Sequence, residues 1–390
     1  MSWTPSSSWM NATPPRPASR CPGMRQLECS MADGETILVT GATGFIGAWI
    51  VESLYLQGSR DVRAGIRSWS RAARLARFPV DIVVCDVTDE DQLKRAMTGV
   101  SCVIHCAKGS ADVTVEGTRN ALDVAMRLGV SRFVHLSTAE VYGEVEGQID
   151  EKSPLVRTGN PYNEAKVAAE EYCWQYCAKG LPVTVIRPSI VYGPFSTTWT
   201  IDLARNLLSG RWRTLGSQAD GICNLVYVTD LVSGILLAAR HPDAVGEAFN
   251  LNGPELLTWN EYFRRFNTAL RCEALPATGS GRAKLRSALM NPVRSSVKLM
   301  LAHFKEPIKY LSERNRNVRQ LLKGFETAIK ATPRPDDLRL YGRKANYSCA
   351  KAQQMLSYRP SVPVEVGLEM SVAWLRQVGL TDWCQKTWGR

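Results

Sequence analysis

The chain has 390 residues, of which 45% are hydrophobic and 22% are charged, as in a globular protein with a large core and unlike a disordered or fibrous chain. No stretch approaches the roughly 18 to 20 consecutive apolar residues that a membrane span needs, so an integral membrane protein is excluded. The eleven cysteines form no Cys-x-x-C pair and no Cys/His cluster at zinc spacing. We therefore expect no disulfide scaffold and no metal site, as in a protein of the reducing cytoplasm.

Most of the net positive charge lies in one segment. The formal net charge is +11, and between Arg282 and Lys330 there are twelve Lys or Arg residues against three acids. Apolar residues recur there at helical spacing, which predicts a basic helical insert over 281–330. Two interpretations stay open: surface helices that cover a neighbouring lobe, or helices in peripheral contact with an anionic membrane. No recognition motif favours nucleic acid as a partner.

Residues 1–33 differ in composition from the rest of the chain. They are rich in Ser, Pro and Arg, show no apolar period and lack the apolar core of a secretory signal. We expect a disordered tail. Met24 and Met31 are alternative starts, because the folded pattern begins directly after Met31.

Beyond the tail, short apolar runs alternate with helical segments. Strands are predicted at 36–40, 62–66, 82–85, 100–106, 132–137 and 183–186. Helices are predicted at 49–57, 70–77, 89–97, 113–128 and 162–179. This alternation predicts an α/β fold with a parallel, doubly wound sheet. After Arg187 the alternation loosens, which indicates a smaller, mainly helical C-terminal lobe with one return to the core.

A glycine-rich loop joins the first predicted strand to the first predicted helix. Its sequence, GATGFIG, places glycines at 41, 44 and 47. Gly41 permits a tight turn, Gly44 lets the backbone approach a pyrophosphate, and Gly47 allows the helix to pack on the strand. Because the strand and the helix are both predicted, the pattern favours dinucleotide binding over a structural turn.

A tyrosine and a lysine form the second notable pattern. Tyr162 and Lys166 are four residues apart in a predicted helix, so both project from one face. A nearby ammonium lowers the pKa of a phenol, and we expect Lys166 to act on Tyr162 in this way. Upstream, Ser137 and Thr138 end the fifth predicted strand. Alone, the Tyr/Lys spacing is common on helix surfaces.

Further motifs occur with these in a fixed order, and together they carry a family resemblance. The set consists of GATGFIG (41–47), HCA (105–107), STAEVYG (137–143), PYNEAK (161–166), RPSIVYGP (187–194), VYVTDL (226–231) and FNLNG (249–253). The chain resembles the extended short-chain dehydrogenases/reductases, also called the NAD-dependent epimerase/dehydratase family. The resemblance covers about residues 35–270 and recurs at 347–374.

The resemblance implies a division of the chain. A Rossmann-type NAD(P)-binding domain is expected over 34–188, with a return segment at 225–250. A substrate-binding lobe is expected over 189–224 and 251–390, including the basic insert.

The resemblance also implies roles for individual residues. Thr138, with Ser137 beside it, is expected to hydrogen-bond the reacting oxygen. Tyr162 is the expected acid/base, and Lys166 also holds the nicotinamide ribose. The expected cofactor-binding residues of the glycine loop are Gly41, Thr43, Gly44, Phe45, Ile46 and Gly47. Asp86 and Val87 are expected to border the adenine, and Ala107, Pro188 and Ile190 to line the nicotinamide side.

The end of the second predicted strand bears on cofactor choice. Many members of the family that act on nucleotide sugars have an Asp there, which favours NAD. Here Ile66 occupies that position and Arg67 follows. A guanidinium suits a 2′-phosphate, so NADP(H) is favoured over NAD(H).

The motifs leave the reaction and the substrate open. The segment between His105 and Thr118 is shorter than in sugar-nucleotide epimerases. Thr114 aligns with the Asn that helps to relay protons in many members, and Ile190 aligns with the uridine-side Asn of galactose epimerases. These features are at least as similar to the branch that contains 3β-hydroxysteroid dehydrogenases and dihydroflavonol reductases. The leading hypothesis is hydride transfer between NADP(H) and a secondary alcohol or ketone. The alternatives are a nucleotide-sugar epimerase or dehydratase, and a non-catalytic dinucleotide-binding sensor or scaffold.

The remaining expectations concern histidines and partners. His105 and His135 fall in predicted strands, and we interpret both as core histidines with satisfied hydrogen bonds. The expected partner is a small-molecule substrate that is a secondary alcohol or ketone, a sugar nucleotide or a lipid-like molecule. A homodimer stays open.

Overall fold

A sheet of seven parallel strands forms the centre of the molecule, in the order β10-β7-β5-β4-β1-β2-β3. The computed structural model describes residues 35–59, 61–279 and 331–381, with isolated residues between 281 and 292. The predicted tail and most of the basic insert therefore lie outside the described residues. The strands of the large sheet are β1 (Ile37–Thr40), β2 (Val62–Ile66), β3 (Asp81–Val84), β4 (Cys102–His105), β5 (Arg132–Leu136), β7 (Val183–Pro188) and β10 (Ala248–Leu251).

The strand order reverses at β1, because β2 and β3 lie on one side of it and β4, β5 and β7 on the other. Loops that leave the carboxyl ends of β1 and β4 in opposite directions open a crevice at this point. The prediction of a parallel, doubly wound sheet is confirmed. β10 was not predicted, since it is a short edge strand beyond the region where the alternation is clear.

Helices flank the large sheet. The principal ones are α1 (Phe45–Leu56), α2 (Glu90–Met97), α3 (Ala111–Arg127), α4 (Pro161–Ala178) and α6 (Val228–Arg240). α3 packs against α4, and α6 packs against α1. Side-chain caps begin three of them, with Asp89 accepting from Gln92, Ser110 from Val113 and Asn160 from Tyr162. The helix predicted at 70–77 is wrong in type, because the structure has a 3₁₀ segment at Trp69–Arg77.

The C-terminal lobe combines helices with small sheets. One sheet has the order β11-β9-β8, and β12 pairs with β6. The expectation of a mainly helical lobe thus omitted these short strands. The lobe and its connections contain β6 (Gly147–Ile149), β8 (Ile190–Tyr192), α5 (Leu203–Leu208), β9 (Ile222–Tyr227), β11 (Leu256–Thr258), α7 (Trp259–Ala269), α8 (Pro335–Gly342), β12 (Ala345–Tyr347), α9 (Ala350–Met355) and α10 (Val364–Gln377). Among the described helices, none is long and apolar enough to cross a membrane.

Candidate active site

A cleft of about 890 Å³ lies at the carboxyl edge of the large sheet, between the sheet and the C-terminal lobe. Loops after β1, β2, β3, β4, β5 and β7 line its floor, and α8 lines the opposite wall. Every residue that the sequence analysis assigned to the site contributes to this lining. The fold therefore brings together residues that are far apart in the chain.

The glycine loop forms one end of the cleft. Gly41 has a φ of +65°, and the Gly44 N–H donates to the Gly41 carbonyl over 2.9 Å. A Cβ on Gly47 would lie 2.5 Å from the Gly41 oxygen, so a side chain there has no room. The loop leads into the N-terminus of α1, where free backbone N–H groups favour an anion. This cradle fits the pyrophosphate of a dinucleotide.

Two arginines lie beyond the end of β2. Arg67 and Arg71 are exposed, and both line the cleft together with Ser68. Neither guanidinium has a carboxylate within 4 Å among the described residues. Asp86 and Val87 line the cleft after β3. This end offers a cationic surface that fits a phosphate, and the sequence analysis missed the contribution of Arg71.

Thr138 and Tyr162 lie toward the other end of the cleft. Tyr162 occupies the first turn of α4, and its side chain is 41% exposed because it faces the open cleft. Loss of hydration against the cleft walls raises the pKa of the phenol, while the interaction with the Thr138 hydroxyl lowers it and the Glu140 carboxylate raises it further. The phenol is thus a proton donor at neutral pH, next to a hydroxyl that can share a substrate oxygen.

Lys166 is buried one helical turn after Tyr162. Its ammonium donates to the Leu136 carbonyl over 2.7 Å. Burial and the ammonium of Lys108 lower the pKa of Lys166 to about 8. The expected lowering of the Tyr162 pKa is wrong for the protein alone, because desolvation dominates at the phenol and the ammonium of Lys166 is engaged by a main-chain oxygen.

Ser137 differs from its neighbour Thr138. Its hydroxyl donates to the buried carboxylate of Glu170, which also accepts hydrogen bonds from Arg187. Thr138 has extended backbone angles, φ −164° and ψ 150°, and consecutive side chains in extended backbone point to opposite sides. Ser137 therefore anchors the strand end, and Thr138 is the hydroxyl beside Tyr162.

The two strand histidines are buried side by side below the cleft, with ring centroids 5.7 Å apart. In His105, Nδ1 lies 2.9 Å from the Thr40 hydroxyl and Nε2 lies 3.3 Å from the Thr118 hydroxyl. Burial and the charge of Lys166 lower the pKa of His105 to about 3. Neither ring nitrogen of His135 has a hydrogen-bond partner among the described residues, in contrast to His105.

The three residues that the resemblance assigned to the nicotinamide are Ala107, Pro188 and Ile190. All three line the cleft. Gly41 approaches Ala107 so closely that a Cβ on Gly41 would lie 2.8 Å from the Ala107 Cα. Thr114, at the position of the family's Asn, is buried and accepts a hydrogen bond from the Gly109 N–H. Its hydroxyl therefore fixes the loop after β4.

Several charged residues of the cleft were not identified from the sequence. Lys108 places its ammonium 5.4 Å from the centroid of the Tyr162 ring. On the lobe side, Arg343 forms an ion pair with Glu140 at 3.0 Å. Arg339 of helix α8 and Arg334, the residue just before this helix, pair with acids of α8. Among the described residues, no group of three or more His, Cys, Asp or Glu side chains could hold a metal ion.

These features define an α/β protein with a glycine loop of the dinucleotide-binding type and with a hydroxyl, a phenol and an ammonium in the same cleft. The family model described as "NAD dependent epimerase/dehydratase family" matches residues 37–252. The chain belongs to this family, the extended short-chain dehydrogenases/reductases. Its members include NAD-dependent oxidoreductases, epimerases and dehydratases, so the chain is an enzyme of that type.

Individual relatives span several reactions. A 3 beta-hydroxysteroid dehydrogenase/Delta 5-->4-isomerase of Mycobacterium tuberculosis is 32% identical over 254 residues, which are 58% of this chain and 67% of that protein. A putative dihydroflavonol 4-reductase of Synechocystis is 32% identical over 222 residues, covering 53% of this chain and 64% of that one.

The fold is shared with solved sugar-nucleotide enzymes. A UDP-glucose 4-epimerase structure from Thermotoga maritima superposes with a TM-score of 0.66 at 22% identity, covering 88% of this chain and 99% of that chain. A dTDP-glucose 4,6-dehydratase from Streptomyces venezuelae, solved with NAD bound, gives a TM-score of 0.66 at 22% identity, covering 90% of this chain and 99% of that chain. At this identity the likeness concerns the fold alone.

Proposed function

We propose that the protein transfers a hydride between NADP(H) and the carbon of a secondary alcohol or ketone, with Tyr162 moving the proton. When bound, the nicotinamide supplies the hydride donor or acceptor. The observation that carries the proposal is the position of Thr138 and Tyr162 in one cleft with the glycine loop. In this proposal, a dinucleotide bound at the glycine loop extends along the cleft and brings its nicotinamide to the phenol of Tyr162.

The chain's own groups have distinct parts in this reaction. The Thr138 hydroxyl orients the reacting oxygen, and the Tyr162 hydroxyl gives a proton to that oxygen during reduction or takes it during oxidation. Lys166 holds the ribose next to the nicotinamide and is itself fixed by the Leu136 carbonyl. The side chain of Ile190 is apolar, and the loop after β4 is short. Both features favour a carbonyl or alcohol substrate over a sugar nucleotide, which carries a uridine or similar nucleoside.

The preference for NADP(H) has its support at the end of β2. Arg67 and Arg71 both line the cleft, and neither has a carboxylate within 4 Å among the described residues. A 2′-phosphate offers both guanidinium groups charge-assisted hydrogen bonds, which NAD(H) lacks. Asp86 and Val87 line the cleft after β3, and in this proposal they border the adenine.

We expect the protein to bind NADPH at least ten-fold more tightly than NADH, and Arg67→Ala to narrow that gap by about ten-fold or more. The reason is that a hydrogen bond to a charged group contributes about 1.5 to 3 kcal/mol. Quenching of tryptophan fluorescence measures both dissociation constants. The control Arg95→Ala removes an exposed guanidinium of α2 that does not line the cleft. Equal affinities in the unmutated protein would contradict the role of Arg67.

The basic insert bears on where the enzyme acts, and we propose peripheral contact with an anionic membrane. Most of the insert lies outside the described residues, but Leu285 and Leu289 are helical and 60% and 63% exposed. The four-residue spacing of these leucines fits one apolar helix face, and Arg282 and Lys284 are exposed close by in the sequence. In this proposal the enzyme is cytoplasmic and can take a lipid-like substrate.

Liposome sedimentation tests this contact. We expect the bound fraction to rise with the content of anionic lipid and to fall with salt, and Leu285→Ser combined with Leu289→Ser to weaken binding. The matched control is Leu256→Ser, because Leu256 is similarly exposed, at 58%, but lies in β11 and outside the insert. If the bound fraction depends on neither the anionic lipid content nor the salt concentration, the proposed membrane contact is wrong and the insert is a solvated cover of the lobe.

A further inference from the structure

Lys108 is a charged residue of the cleft that the proposed reaction does not use. It follows β4 and precedes α3, and it lines the same cleft as Thr138 and Tyr162. Its ammonium lies 5.4 Å from the centroid of the Tyr162 ring. This distance places a positive charge next to the phenol and hence next to the carbon that reacts.

The ammonium of Lys108 has no acidic partner in the part of the chain that the structure describes. No carboxylate of the described residues lies within 4 Å of it, whereas the three arginines on the opposite wall all have one. Arg334 pairs with Asp337, Arg339 with Asp336, and Arg343 with Glu140. The nearby carboxylate of Glu140 is thus already neutralised by Arg343, at 3.0 Å.

The ammonium of Lys166 is a second cation in the same cleft, and it further favours the binding of an anion. The charge of Lys108 contributes to the lowered pKa of Lys166, which is buried and bound to a carbonyl. Lys166 is buried and Lys108 is exposed, so their like charges repel one another and solvent screens part of this repulsion. An anion that enters beside Lys108 relieves this repulsion, so the free cleft favours a negatively charged ligand at this end.

The loop that carries Lys108 is held in place on both sides. The Gly109 N–H donates to the Thr114 hydroxyl over 3.2 Å, and Ser110 caps α3. A Cβ on Gly109 would lie 2.7 Å from a methyl group of Val113, so the loop packs directly on the helix. On the other side Ala107 contacts Gly41. The backbone of Lys108 is therefore fixed, and binding of an anion has to order only the side chain.

We propose that Lys108 binds an anionic group of the substrate, a carboxylate or a phosphate attached close to the carbon that reacts. This inference rests on the proposed function, because the phenol of Tyr162 marks the reacting end. Lys108 then determines specificity: it selects an anionic alcohol or ketone over a neutral analogue of the same shape. The cofactor's pyrophosphate is the competing source of the anion, and the glycine loop already offers it the N-terminus of α1.

The test uses pairs of ligands that differ in one negative charge. The probes are 3-oxobutanoate with its methyl ester, and UDP-glucuronic acid with UDP-glucose. Calorimetry on the NADP⁺-loaded protein gives the dissociation constant of each probe, and the ratio of neutral to charged affinity is compared among variants. Lys108→Met removes the charge and keeps the length, Lys108→Arg keeps the charge, and Lys94→Met removes an exposed lysine of α2 outside the cleft.

We expect the charged member of at least one pair to bind ten-fold or more tightly in the unmutated protein. Lys108→Met should abolish this preference, Lys108→Arg should retain most of it, and Lys94→Met should not change it. Equal affinities within both pairs, or no binding of either charged probe, would overturn the proposal. The proposal would also be overturned if the Lys108→Met protein kept the preference for the charged probe. It would be overturned as well if this protein lost affinity for NADP⁺ and not for the charged probe.

These outcomes are separable from failure of the proposed function. Binding of the probes requires no turnover, so the charge preference can be present in a protein that transfers no hydride. In that case the site for the anion stands and the proposed reaction fails. If hydride transfer is found without any charge preference, the reaction stands and the role of Lys108 fails.

Discussion

Replacement of Tyr162 by Phe should lower turnover by about 10² to 10⁴-fold, with little change in the affinity for the cofactor. The substitution removes only the hydroxyl that exchanges a proton with the reacting oxygen, and loss of a general acid/base has an effect of this size. The phenol lies beside the Thr138 hydroxyl in the cleft, and the glycine loop, not the phenol, is the expected site of the cofactor's pyrophosphate. Steady-state rates and the dissociation constant for NADPH measure the two effects separately.

Tyr172→Phe is the matched control, since it removes the same group from the same helix. Tyr172 is half-buried in α4 and does not line the cleft. We expect this variant to keep the rate of the unmutated protein within a few-fold. If Tyr162→Phe also stays within a few-fold, Tyr162 is not the acid/base.

Replacement of Arg187 by Met should lower the free energy of unfolding by about 3 to 5 kcal/mol. Arg187 and Glu170 form an ion pair at 2.6 Å, with side chains 4% and 0% exposed. Removing one partner leaves the other charge buried and unpaired, which costs far more than loss of a solvated pair. The same change removes the hydrogen bond that Arg187 donates to the Tyr142 hydroxyl over 2.9 Å. Urea denaturation measures the loss.

An exposed ion pair provides the control for this prediction. Arg205 and Asp202 lie 3.3 Å apart, and both side chains are 51% exposed. Arg205→Met should change the free energy of unfolding by less than about 1 kcal/mol, because solvent screens such pairs. Similar losses of unfolding free energy in the two variants would mean that burial does not increase the contribution of the Arg187–Glu170 pair to stability.

The parallel sheet could be predicted because its strands are continuous apolar runs separated by helical periods. The same signal fails where elements are short. The 3₁₀ segment at Trp69–Arg77 has apolar residues at a spacing that also fits an α-helix, and its type depends on packing against α1. The strand β10 has only four residues, contains Asn250 and lies at the edge of the sheet, so its pairing with β7 follows from tertiary structure.

The candidate site could be predicted as a set of positions but not as a set of orientations. Ser137 and Thr138 are adjacent in the sequence, and only the extended backbone separates an anchor to Glu170 from a hydroxyl in the cleft. Lys108 lies in a loop, where no period indicates the direction of a side chain. Arg343 reaches Glu140 from the far end of the chain, so their ion pair has no local signal in the sequence.

The most direct test of the account is the transfer of deuterium from NADPH labelled at C4 of the nicotinamide. The labelled cofactor is incubated with the protein and a panel of ketones that includes steroids, 3-oxo acids and 4-keto sugar nucleotides, and products are analysed by mass spectrometry. The account predicts one deuterium on the new alcohol carbon of a product, formed by the unmutated protein and at most at a trace level by Tyr162→Phe. Tight binding of NADPH with no deuterium in any product, or equal transfer by both proteins, would contradict it.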